Sequence, residues 1–240
     1  MPRKPRHEIV IPELPHHVIV RGNNRRNLFS YASCYRTFVR LVGEATQRFG
    51  IALHGLMLMR NHVHLVATPR DVDCLASWVK SFAQRYAWRR NRQRESTGKL
   101  FEQRYGAVPI RTERQLAATL PYLELNPVRA GLVVSADQWD WSTHRLHIGA
   151  SVAVPDEIAD AWTPHPWWLA LGRDPATRHA AYRELTRLRR EAQRAVDRES
   201  QPYTLVIERP DRSSARDAPG PIEMLRDEFN IYQPVRRDNR

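Results

Sequence analysis

The feature that most restricts the fold is the stretch Leu56-Met57-Leu58-Met59-Arg60-Asn61-His62-Val63-His64-Leu65-Val66-Ala67-Thr68, closed by Pro69. Its aliphatic and β-branched residues, interrupted by the polar pair Arg60-Asn61, predict two strands joined by a junction tight enough to favour antiparallel pairing. The first of these strands reaches back to Ile51. In the second, His62 and His64 stand two residues apart and therefore share one face of a sheet, while Val63 points to the other. Two imidazoles so placed converge on one point, at about the separation of two ligands of a single divalent ion. A His-x-His pair also occurs by chance on strands, so the rest of the chain has to decide its meaning.

The surrounding elements read as an α+β order. His16-His17-Val18-Ile19-Val20-Arg21 predicts a first strand, ended by the turn Gly22-Asn23-Asn24 and followed by Arg25-Arg26. A glycine turn flanked by arginines can offer backbone N–H and guanidinium groups to one phosphate chain, though a plain solvated turn reads the same locally. His16 and His17 are neighbours on the strand and face opposite sides, so at most one approaches the His62/His64 point and neither is counted as a ligand. Apolar residues at Phe38, Leu41, Val42, Ala45 and Phe49 predict a helix over 35–49 that Gly50 ends. Asp71 opens a second helix through Leu75, Trp78, Val79, Phe82 and Tyr86, and 105–110 reads as a fourth strand. A helix over 113–125 then carries Tyr122, with Leu116, Leu120 and Leu123 as its apolar side and Glu124 expected at the surface. After the turn Asn126-Pro127-Val128-Arg129-Ala130-Gly131, the run Trp139-Asp140-Trp141-Ser142 predicts an aromatic latch over the core.

This first unit is expected to span 1–150. Composition then shifts to a Trp/Pro-rich connection (162–168), a very basic helix over 176–198 and a polar, Pro-containing tail from Ser200. Residues 151–240 are accordingly expected to form a basic helical extension with a partly disordered tail.

Charge narrows the partner. The 240 residues carry a formal net charge of +12, and all but Lys4, Lys80 and Lys99 of the 38 basic residues are arginine. Such an excess points to a polyanion, and guanidinium groups both clamp phosphates and stack on bases. A GC-rich genome would explain the arginine preference but not the charge. Between Lys80 and Arg114 ten basic residues face three acidic ones, with Trp88, Phe101 and Tyr105 interleaved as surfaces on which unpaired bases could stack. No apolar run approaches a membrane span, and no apolar segment follows the basic N-terminal arm, so a cytoplasmic, nucleoid-associated protein is expected. Cys34 and Cys74 have neither disulfide-framework nor zinc spacing and read as buried reduced thiols.

Several motifs together resemble one family. His17-Val18 with Arg21-Gly22-Asn23-Asn24, then Leu58-Met59-Arg60-Asn61-His62-Val63-His64-Leu65, Gly98-Lys99-Leu100-Phe101 with Arg104-Tyr105, Tyr122-Leu123-Glu124-Leu125-Asn126-Pro127-Val128-Arg129-Ala130-Gly131 and Trp139-Asp140-Trp141-Ser142 occur in the order and spacing of the REP-associated tyrosine transposases. These are single-tyrosine members of the HUH endonucleases. The resemblance covers about residues 10–150. It departs at Arg60, where the family usually has proline, and at Gln103, where it usually has glycine. It implies a ferredoxin-like antiparallel sheet with packed helices, a divalent metal, a tyrosine nucleophile and stem-loop single-stranded DNA as substrate.

Within that frame His62 and His64, with Asn126 as third ligand, would hold Mg²⁺ or Mn²⁺, and Tyr122 would attack phosphorus to leave a 5′-phosphotyrosine and a free 3′-hydroxyl. Histidine favours Mn²⁺ by softness, whereas cellular supply favours Mg²⁺. Positions i and i+4 of a helix share a face, which would bring the Asn126 amide to the same centre as Tyr122, although Pro127 disfavours helical geometry at Asn126. Taken locally, Asn126 reads as a capping residue and Tyr122 as a half-buried core tyrosine. The His pair and the family pattern tip both toward function. Arg21, Asn23, Arg25, Arg104 and Arg129 are the expected DNA contacts. The expected activity is a metal-dependent single-stranded DNA endonuclease and strand transferase at palindromic repeats, acting as a monomer or homodimer with no small-molecule substrate. The alternative is a non-catalytic DNA-binding or regulatory protein of repeat elements. A replication or conjugation nickase is a weaker reading, since no GxxxxGK[ST] phosphate-binding loop is present.

Overall fold

The computed structural model describes residues 9–102 and 104–199. The basic N-terminal arm, Gln103 and the polar tail from Ser200 lie outside the described residues. Four strands, β1 (His16–Arg21), β2 (Ala52–Leu58), β3 (His62–Thr68) and β4 (Gly106–Pro109), form one antiparallel sheet in the order β2-β3-β1-β4. Helices α1 (Ala32–Phe49) and α2 (Val72–Gln93) are the crossovers β1-α1-β2 and β3-α2-β4. This strand-helix-strand, strand-helix-strand order is the ferredoxin-like α+β fold that the motifs imply.

Alternation along the strands sorts the sheet into two apolar layers. Val18, Val20, Val63, Leu65 and Leu56 point toward α1 and α2 and bury with Phe38, Val42, Trp78 and Phe82. The opposite face carries Met57 and Val66, which bury against Leu116, Leu120 and Leu123 of α3 (Glu113–Glu124). The helices start where side chains replace missing backbone partners. Asp71 accepts from the Asp73 and Cys74 N–H groups at the head of α2, and Thr112 accepts from Gln115 at the head of α3.

Gly55 sets how closely α3 can sit. A Cβ on Gly55 would come within 2.6 Å of Leu120 Cδ2, so only glycine lets the Leu120 side chain reach the sheet at this point. Helix α3 ends at Leu125 and the chain continues as the short α4 (Asn126–Arg129), with Pro127 in its first turn.

The Trp139-Asp140-Trp141-Ser142 latch closes the β2 edge. Leu58 N–H donates to the Trp141 carbonyl at 2.9 Å, Trp139 Nε1 donates to the Leu58 carbonyl at 3.0 Å, and Trp141 stacks on Tyr35 at 4.8 Å. Beyond it come α5 (His144–Ile148), α6 (Asp156–Ala161), α7 (Pro166–Leu169) and the long α8 (Pro175–Glu199). Residues past 150 enter both apolar layers. Ile158 and Ala161 join the α1/α2 side, whereas Trp167, Trp168, Tyr182 and Leu185 join the α3 side. Cys34 and Cys74 are buried and free, and no helix among the described residues is long and apolar enough to cross a membrane.

Glu124 corrects a sequence expectation. It points away from Tyr122 but into the interior, fully buried, where it accepts from His144 Nδ1 at 2.8 Å, His147 Nδ1 at 2.6 Å, Tyr182 Oη at 2.9 Å and Thr143 Oγ1 at 3.2 Å. Burial alone would raise its carboxyl, but the attraction of His147 and the hydrogen bonds of both histidines outweigh it and hold the pKa down to about 2. A charge here is tolerable because every oxygen is partnered. The cluster ties α3 to α5 and α8.

Candidate metal and nucleophile site

The site is built on the α3 side of the sheet, at the end where β3 begins. His62 and His64 share that face, and pairing with β1 sets Arg21 opposite His62 and Ile19 opposite His64. The two rings stand with centroids 4.9 Å apart at 84°. An ion about 2.1 Å from one nitrogen of each ring would lie roughly 3 Å from each centroid, so this spacing suits two adjacent ligand positions.

Each ring has one nitrogen already occupied. His62 Nδ1 donates to Asn61 Oδ1 at 2.7 Å, and Asn61 is itself turned by its Nδ2, which donates to the Arg25 carbonyl at 3.4 Å. His64 Nδ1 hydrogen-bonds His17 Nε2 at 2.9 Å. In both rings Nε2 is therefore the nitrogen left for an ion, the arrangement by which supporting groups orient metal-binding imidazoles. Burial, with Arg21 nearby, lowers His62 to about 4. Burial lowers His64 further, joined by the charges of His17, His62, Arg21 and Arg129, while burial takes His17 to about 4. All three rings are neutral at physiological pH, as ligation requires. His17 is thus the one histidine of the His16-His17 pair that reaches this point, as a support for His64. His16 faces the other way and bonds the Leu14 carbonyl.

Among the described residues no group of three or more His, Cys, Asp and Glu side chains could hold a metal. An ion at the His pair would complete its sphere from an amide, phosphate oxygens or water, a donor set that suits a catalytic ion with open positions. Asn126 sits at the α3/α4 joint, where its Nδ2 donates to the Leu123 carbonyl at 2.9 Å and the Tyr122 carbonyl at 3.4 Å. It clasps the end of α3, which leaves Oδ1 as its acceptor.

Tyr122 is half-buried on α3, the helix that covers the face carrying the His pair. Two guanidinium groups lie over its ring, Arg129 of α4 at 4.9 Å and Arg189 of α8 at 5.3 Å. Arg189 is only 3% exposed and went unnoticed in the sequence, where it is one arginine among many in a basic helix.

The expected DNA contacts group around this centre. Asn23 and Arg25 lie on the one-turn 3-10 helix after Gly22, whose N–H donates to the Asn61 carbonyl at 2.8 Å. Gly22 is required there, since a Cβ would strike the Arg26 carbonyl. Arg21 and Arg104 line an open groove of about 500 Å³ over β1 and β4, together with Tyr105 and Glu102. Of the three interleaved aromatics, Trp88 is well exposed under Arg92, whereas Phe101 and Tyr105 pack partly into the core.

Residues 11–126 match the family model described as transposase IS200-like (Y1_Tnp). Among solved structures, the chain is similar to a REP-associated tyrosine transposase bound to a REP hairpin, at 17% identity over 69% of this chain and 93% of that one, with a TM-score of 0.54. A candidate transposase from Deinococcus radiodurans R1 aligns at 21% identity over 52% of this chain and 96% of that one, with a TM-score of 0.36. No curated protein matches by sequence.

Proposed function

We propose, from the match of residues 11–126 to the IS200-like transposase model, that the protein is a metal-dependent single-stranded DNA endonuclease and strand transferase acting at palindromic repeat stem-loops. The observation that carries this reading is the oriented His62/His64 pair on the sheet face that α3, the helix bearing Tyr122, covers. The hairpin held by the structural relative suggests the same class of substrate here.

His62 and His64, with Asn126 Oδ1 as third donor, would hold Mg²⁺ or Mn²⁺, which supplies charge neutralisation on the non-bridging oxygens of the scissile phosphate. Tyr122 Oη forms the new P–O bond while the P–O3′ bond breaks, so the strand downstream of the cut stays on the enzyme through its 5′-phosphate as a phosphotyrosine ester. The phenol proton leaves as attack proceeds, and the departing 3′-oxygen ends protonated. Bond energy is conserved in the ester, so a 3′-hydroxyl can reverse the step and reseal the same or another strand. Arg129 and Arg189 pack on the ring and favour the developing negative charge on Oη. Arg21, Asn23, Arg25 and Arg104 bind the flanking strand, chiefly through phosphates.

The test is incubation of the full chain with palindromic single-stranded oligonucleotides, with and without Mn²⁺. Wild type should form a covalent protein–DNA adduct that Tyr122→Phe lacks while still shifting the DNA in a gel. Binding with no adduct under any divalent ion would favour the regulatory alternative.

A further inference from the structure

We propose that the groove between α4 and α8 is a nucleotide subsite that seats the base next to the scissile phosphate, so that the C-terminal helix takes part in choosing where the strand is cut. The inference rests on the reading above and deepens it. The groove has a volume of about 350 Å³ and a floor of Leu125, Val128 and Val133. Its rim carries Arg129, Arg190 and Arg194, with no carboxylate among the lining residues.

Three observations identify the occupant. The volume lies in the range that admits a single nucleotide rather than a duplex. An apolar floor under a ring of guanidinium groups matches a base with its attached phosphates, whose flat faces need apolar or stacking contact and whose oxygens need forked donors. Arg190 Nη2 is fixed on the Val134 carbonyl at 2.9 Å, which holds this guanidinium at the groove. Position is the third argument. Arg129 forms one wall of the groove and also lies over the Tyr122 ring, so a nucleotide seated there is adjacent to the nucleophile.

Val134 is 74% exposed at the mouth, apolar surface that a base would cover. The subsite needs both halves of the chain, since Leu125 to Val134 come from the segment after α3 and Arg190 and Arg194 from α8.

The test uses the full chain and a set of cleavable hairpin oligonucleotides, each lacking one base near the cut. Removal of a single flanking base should lower adduct formation by wild type about tenfold, the worth of one stacked base. Val133→Trp, which fills the groove, should lower adduct formation on the intact oligonucleotide to a similar degree. On the oligonucleotide abasic at the sensitive position, it should match wild type, because both changes remove the same contact. Val134→Ser, at the solvent-exposed mouth, repeats the test by removing apolar contact without adding charge or burying new volume, and a thermal melt checks that each variant is folded. Equal sensitivity to every flanking base, or groove variants that impair intact and abasic substrates alike, overturns the subsite and leaves the strand-transfer reading standing. No adduct from wild type on any substrate overturns both.

Discussion

The guanidinium of Arg189, on the last described helix, lies 5.3 Å from the centre of the Tyr122 ring and is almost wholly buried. A desolvated cation over an aromatic face contributes about 2 kcal/mol, and more when the ring oxygen gains negative charge. Replacing Arg189 by alanine should therefore slow adduct formation at saturating DNA by about tenfold, with the dissociation constant for DNA little changed. Single-turnover kinetics beside a gel-shift titration separate the two, and an equal loss in both would reduce Arg189 to a packing residue.

Asn61 and His17 orient the two imidazoles without being ligands in the proposed site. Asn61→Ala and His17→Ala should each weaken the Mn²⁺ dependence of adduct formation by about 10- to 100-fold, the usual cost of removing such a support. Raising Mn²⁺ should rescue them, whereas His64→Ala should stay inactive. Titration of the metal in the adduct assay decides this.

Glu124 is a stability prediction. Glu124→Gln leaves His144, His147 and Tyr182 facing a neutral amide in a closed interior, and breaking a buried pair of this kind costs about 3–5 kcal/mol. The carboxyl is held down to about 2 when folded, against an ordinary value of 4.5. Its contribution is therefore complete above pH 4.5 and is lost as the pH falls from there toward 2. Denaturant melts across that window should show wild type losing stability faster than Glu124→Gln.

Gly55 controls the approach of α3. Valine there would collide with Leu120 and push the helix away from the sheet, at a cost of about 1–3 kcal/mol for overpacking. The folded variant should bind DNA but form adduct poorly, since Tyr122 rides on the displaced helix. A second change, Leu120→Ala, makes room for the new side chain and should restore part of the activity. No rescue would mean that the glycine serves another purpose.

Salt dependence tests the arginines at the strand end. Arg21→Ala and Arg25→Ala should each reduce the slope of log affinity against log salt by about one if each neutralises a phosphate. An unchanged slope would assign them to the fold instead.

Much of this architecture is written in local pattern. The hairpin around Arg60-Asn61, the strand at His16–Arg21, the spacing of Phe38, Leu41, Val42 and Ala45, and the common face of His62 and His64 all follow from periods of two and 3.6, which need only neighbouring residues. Even the basic helix near the end was legible as 176–198 and spans Pro175–Glu199. Sequence could not decide which groups meet across the fold. Glu124 looked like a surface carboxylate because a lone acid on a helix usually is one. Its burial depends on two histidines and a tyrosine delivered by α5 and α8. Strand alternation lets only one of His16 and His17 approach the metal point, and the β1–β3 register decides that it is His17, beside His64. Arg189 could not be distinguished from its basic neighbours until α8 packed against α3. Periodicity is encoded within a few residues, whereas charge partners and ring contacts are set by distances that exist only once the sheet has formed and the helices have docked on it.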